Sequence, residues 1–132
     1  MSEATPTFQR RTVAECREAM GTGESGAVYL LHFEPSFKHA GRYVGWTGVT
    51  DDESPLAAVQ ARYRQHVTGK GSPLVKAAVE AGCAVVIARV WADRDRHFER
   101  SIKEGKNASR LDPITRGEIT LAQAIAAHHE AA

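Results

Sequence analysis

Ala27-Val28-Tyr29-Leu30-Leu31-His32-Phe33 and Arg42-Tyr43-Val44-Gly45-Trp46-Thr47 decide how this chain is read. Both runs are rich in β-branched and aromatic residues, which suit a pleated, half-buried surface. Residues 34–41 carry Pro35 and Gly41 and read as the loop of a hairpin. Strand side chains alternate between two faces. Tyr29, Leu31 and Phe33 therefore share one face of the first strand, and Tyr43, Gly45 and Thr47 share one face of the second. An antiparallel pairing can bring both tyrosines to the same side, although alternation alone does not set the register. His32 falls on the face opposite Tyr29 and reads as structural.

Helices are expected on both sides of this hairpin. Upstream, Thr12 followed by Glu15 is a capping-box pattern, so a short helix should run to Met20 and stop at Gly21. Downstream, Ser54-Pro55 is a helix start, with a serine cap and proline at the first helical position. Leu56, Val59, Tyr63 and Val67 then form one apolar stripe. Arg62 and His66, four apart, lie on one edge of it, at the border of core and solvent. Ser72-Pro73 repeats the start signal for a helix to Ala81, closed by Gly82. Cys83 to Trp91 reads as a third strand, expected at the centre of the sheet. Asp93 to Glu104 reads as a helix with Phe98 and Ile102 inward, and Asn107 to Arg116 as a loop. Thr120 and Gln123 open a last helix toward His128. His128 and His129 point about 100° apart on that helix and are expected to face solvent. The pattern is an α/β fold, a small three-stranded mostly antiparallel sheet flanked by helices. The expected organisation is a tail and short helix over 1–25, the main domain over 26–113, and a C-terminal helix packed on it over 114–132.

A chain of 132 residues with 42% hydrophobic and 25% charged side chains can bury one core unaided. No run approaches the about 20 apolar residues of a membrane span, and no signal peptide is evident. Cys16 and Cys83 are far apart and read as reduced thiols, which suits the cytoplasm. The net charge of +1 gives no global attraction to nucleic acid. Positive charge is local instead. Residues 54–79 hold no carboxylate but include Arg62, Arg64, Lys70 and Lys76. A second basic group, Arg94 to Arg110, is diluted by Asp93, Asp95, Glu99 and Glu104.

The phosphate loop GxxxxGK, the HExxH metal motif, the GxSxG elbow and a CxxC pair are all missing from the sequence. What remains is Tyr29, Tyr43, Arg62, His66 and Glu99. Their order, on a strand, a second strand, one helix and a later helix, resembles the GIY-YIG nuclease family over residues 26–113. Ala27-Val28-Tyr29 matches its first motif, with alanine where the family's name-giving residue is glycine. Tyr43-Val44-Gly45 matches the second. Arg62 and His66 match its helix arginine and histidine, and Glu99 its metal-binding glutamate. Asn107 is a candidate for a further conserved-type asparagine, at a short spacing from Glu99. Asp112 stands before Pro113 where small members often carry a cysteine.

The resemblance implies metal-dependent hydrolysis of DNA phosphodiester bonds. Glu99 would hold Mg²⁺ or Mn²⁺, since Mg²⁺ often uses one or two carboxylates plus water and substrate phosphate. Arg62 would clamp phosphate oxygens in a way lysine cannot copy. Tyr29 would be the base, His66 its relay or positioning partner, and Tyr43 an orienting group. Arg64, Lys70, Lys76, Lys103 and Asn107 are the expected nucleic-acid contacts. The partner would be DNA, branched or damaged forms included, with specificity supplied by a protein partner or by dimerisation. The alternative is a catalytically idle nucleic-acid- or protein-binding module on the same fold.

Overall fold

The structure is a computed structural model that describes residues 26–130. The helix expected from Thr12 to Met20, and Cys16, lie outside the described residues. Strands β1 (Gly26–Phe37) and β2 (Ala40–Gly48) form a hairpin. Helices α1 (Pro55–Val67) and α2 (Pro73–Glu80) follow, then strand β3 (Ala84–Ala92). Helices α3 (Arg96–Gly105), α4 (Ala108–Leu111) and α5 (Leu121–Ile125) come next, and a π-helical turn spans Ala126–Glu130. Both serines cap as their Ser-Pro signals require: Ser54 accepts from the Ala57 N–H, and Ser72 from those of Leu74 and Val75. Each such cap contributes about 1 kcal/mol.

The three strands form one antiparallel sheet in the order β2-β1-β3. The α/β sheet with flanking helices is thus the fold of the described residues, but the central strand is β1, not β3. The reason is two-sided burial. Every residue from Gly26 to Phe33 is buried, because helices cover both faces of β1. Ala27, Tyr29, Leu31 and Phe33 pack with Val59 of α1 and with Val75 and Ala78 of α2. Val28 and Leu30 pack on the other face with Ala88 and with Ile102 of α3. Strand β3 is buried only from Val85 to Ala88.

The outer edge of β3 explains a second correction. His128 and His129 do not face solvent. Both are half-buried. The His129 Nε2 accepts the Ile87 N–H at 2.8 Å, and its ring meets Tyr63 edge-on at 4.6 Å. Gln60 donates to the His128 carbonyl at 2.7 Å. The C-terminal turn thereby satisfies an edge-strand amide that would otherwise need water or another strand.

On the side of the sheet away from Tyr29, Asp112 ties the tail to the hairpin. It is fully buried. His32 Nδ1 donates to it at 2.7 Å, Arg42 Nε at 3.0 Å and Thr115 Oγ1 at 2.9 Å. His32 and Arg42 are register partners across β1 and β2, so one carboxylate reaches both. Burial alone would raise the Asp112 pKa, but these donors hold it below the usual carboxylate range. His32 lies on the face opposite Tyr29, as alternation implied, and its ring nitrogens meet Asp112 and Glu34. The segment expected to be a loop contains α4. Cys83 is a free, half-buried thiol. No helix among the described residues is long and apolar enough to cross a membrane.

Candidate active site

The hairpin register puts Tyr43 opposite Leu31 and Gly45 opposite Tyr29. Partners across an antiparallel pair share a face, so both tyrosines emerge on the α1 side. Their ring centroids are 6.4 Å apart. Tyr29 folds over Gly45, where any Cβ would strike its hydroxyl and ring. This gives the glycine of the Tyr-Val-Gly motif a steric reason: its missing side chain is the floor on which the phenol lies.

His66 completes the group from α1. Its Nε2 lies 2.7 Å from Tyr29 Oη, and its ring meets Tyr43 edge-on at 5.1 Å. The amphipathic stripe put His66 at the border of core and solvent, but it is fully buried. The chain turns back immediately after α1 and covers it. Gly71 permits this, since a Cβ there would collide with the imidazole.

The covering turn also fixes the proton on the ring. The Ser72 backbone N–H donates to His66 Nδ1 at 2.8 Å. An amide can only donate, so Nδ1 is the bare nitrogen and a neutral ring carries its hydrogen on Nε2. Burial, with the Arg62 charge adding to it, pushes the His66 pKa down to about 4, so the ring is neutral at pH 7. Nε2–H therefore donates to Tyr29 Oη. His66 cannot take the Tyr29 proton without losing the Ser72 bond. Of the two roles considered from sequence, positioning the phenol suits this geometry and relaying its proton does not.

Tyr29 is 1% exposed. Burial pushes its pKa far above the ordinary phenol value, and the neighbouring Tyr43 adds to the shift. The Arg62 guanidinium opposes it, while Glu99 raises it further. Arg62 and Glu99 are thus close enough to act on the Tyr29 hydroxyl electrostatically. Arg62 itself is half-buried and donates to Gln65 Oε1 at 2.6 Å. Lys103 links the last two members. Its ammonium is 2.9 Å from Glu99 Oε2 and 5.4 Å from the centre of the Tyr43 ring.

The structure therefore brings Tyr29, Tyr43, Arg62, His66 and Glu99 into one neighbourhood, with Lys103 inside it. Arg64, Lys70 and Lys76 are exposed, on α1, the α1–α2 turn and α2. Asn107 is half-buried at the start of α4 and makes no side-chain cap there. The roles of Ser72 and Gly71 were not read from sequence. Gly71, just before the Ser-Pro helix start, was a visible trace of the turn that buries His66.

Among the described residues, no three His, Cys, Asp or Glu side chains cluster as a metal cage. Glu99 would be a single carboxylate ligand, its side chain 19% exposed. One carboxylate suits a hydrated Mg²⁺ completed by substrate oxygens, and the Lys103 ammonium already balances charge at that oxygen. Among the five residues, Glu99 is therefore the side chain that would hold such an ion. A scan against protein-family models, a search of curated proteins and a search of solved structures each found no match.

Proposed function

We infer that the chain is a metal-dependent endonuclease that hydrolyses DNA phosphodiester bonds, acting in the cytoplasm. The observation that carries this reading is the Tyr29–His66 bond of 2.7 Å within electrostatic reach of Arg62 and Glu99. Phosphodiester hydrolysis needs an activated water, a clamp on the phosphate and charge near the leaving oxygen. Arg62 offers the clamp through paired N–H donors. Tyr29 would take the proton of the attacking water only as the phenolate, after losing its own proton to solvent, and His66 Nε2–H and Arg62 would stabilise that anion against the burial that disfavours it. Tyr43 orients the phosphate or the water. Glu99 would hold Mg²⁺ or Mn²⁺, which when bound supplies positive charge to the phosphate and the leaving oxygen. The similarity of the ordered motifs to the GIY-YIG family supports the same chemistry.

The test is nicking of supercoiled plasmid and cleavage of branched DNA in Mg²⁺. Glu99→Ala and Arg62→Ala should each abolish it while circular dichroism and melting stay near wild type. Full activity in either folded variant ends this mechanism.

The burial of the Tyr29 hydroxyl and the ion pair on Glu99 favour a second reading. In it the cluster is a structural core for a module that binds nucleic acid or a protein without cutting. A salt-sensitive gel shift with no cleavage in Mg²⁺ or Mn²⁺ would select that reading.

A further inference from the structure

We propose that the groove beside Arg62 is a stacking site for one unpaired nucleotide, so that the preferred ligand is forked or bulged DNA and not continuous duplex. The proposal rests on the nucleic-acid reading above and names its substrate class. The groove, about 330 Å³, lies between the end of β2, α1 and the start of α3. It is at the small end of the roughly 300–1,000 Å³ range of ligand sites, a fit for one base but not for a duplex.

Its walls combine the two things an unpaired nucleotide needs. Trp46 and Arg96 line one side, with the Arg96 guanidinium 4.4 Å from the indole centre. Bases stack on indole rings and on guanidinium planes, but only when unstacked from their own neighbours. Arg62 lines the same groove and offers a partner for the phosphate. The α1 wall carries no carboxylate, because residues 54–79 contain none. Glu53 is the single acidic group lining the groove.

The indole is held in place before any ligand arrives. Its Nε1–H donates to the Arg94 carbonyl at 3.0 Å. The ring also occupies the space where a Cβ on Gly26 would stand. The ring, packed against Gly26, in turn holds the Arg96 guanidinium over it, and that exposed guanidinium is the platform a base would stack on. Arg62 also acts on the Tyr29 hydroxyl, so a phosphate bound there lies next to the candidate reaction centre. The nucleotide being read would therefore adjoin the bond being cut.

Binding can be measured apart from cleavage by fluorescence anisotropy in EDTA, using a labelled continuous duplex, a forked duplex and oligo-dT. Wild type should favour the forked DNA and oligo-dT over the duplex. Arg96→Ala, an exposed position, should lower the forked-to-duplex affinity ratio about 5-fold or more, the size of a lost stacking contact. In a Trp91→Phe background, oligo-dT should quench the remaining indole emission. A wild-type ratio near one overturns the proposal. So does an equal loss for both DNAs in Arg96→Ala, which would make Arg96 a phosphate contact only. Cleavage in Mg²⁺ is scored separately. Selective loss without any cleavage keeps the groove and removes the nuclease; cleavage without selectivity does the reverse.

Discussion

His66 should make the fold acid-sensitive, and the size of the effect follows from its surroundings. Burial and the Arg62 charge lower its pKa from 6.5 to about 4. The unfolded chain then binds a proton on this imidazole that the folded chain refuses. The contribution is complete above the unfolded value of 6.5 and is lost as pH falls from there toward 4. The difference of about 2.5 units corresponds to about 3 kcal/mol in full, of which about 2 kcal/mol is lost between pH 7 and pH 5. That is a large part of a stability of about 5–15 kcal/mol. His66→Gln supplies one acceptor for the Ser72 N–H and one donor for Tyr29, and does not titrate. Urea unfolding of both proteins at the two pH values isolates the effect. His128 and His129, whose pKa values burial also lowers, contribute to the same pH dependence, but they are common to both proteins. Wild type should lose about 2 kcal/mol more than His66→Gln on acidification. Parallel losses, within about 0.5 kcal/mol, would refute the assignment of a buried neutral ring that donates through Nε2.

Other substitutions probe the remaining contacts. Gly45→Ala should force Tyr29 from its seat, lowering stability by about 1–3 kcal/mol and reducing cleavage more than the stability loss explains; melting and nicking rates together check this. Lys103→Ala should cost under about 1 kcal/mol, since the pair it makes with Glu99 is partly exposed. It should also lower the Mg²⁺ concentration needed for half-maximal cleavage, because the ammonium no longer competes for the carboxylate. Asp112→Ala removes the acceptor of His32 and Arg42 and should destabilise by about 3–5 kcal/mol. Asp112→Asn, which retains one acceptor oxygen, should lose less by the same denaturation assay.

Sequence by itself determined the order along the chain of the three strands and of the main helices, though not the short α4 inside an expected loop or the π-helical turn at the end. Ser54-Pro55 and Ser72-Pro73 announce helices through local chemistry, and both serines cap as expected. Period-two alternation on β1 put Tyr29 and His32 on opposite faces, because alternation is a property of the backbone alone. The five candidate site residues could be picked out by order and type. Strand order could not be read locally. An apolar run such as residues 83–91 looks alike at a centre or an edge, and only the helices on both faces of β1 made that strand central. The placement of His66 and His129 was tertiary for the same reason. A helix-face position says which way a side chain points, not whether a distant backbone amide closes over it. Ser72 and Ile87 supply those amides, and they decide both the burial of each ring and which nitrogen bears the proton. The tyrosine pair was legible in sequence; the imidazole that orients it became a donor only when the chain folded back over α1.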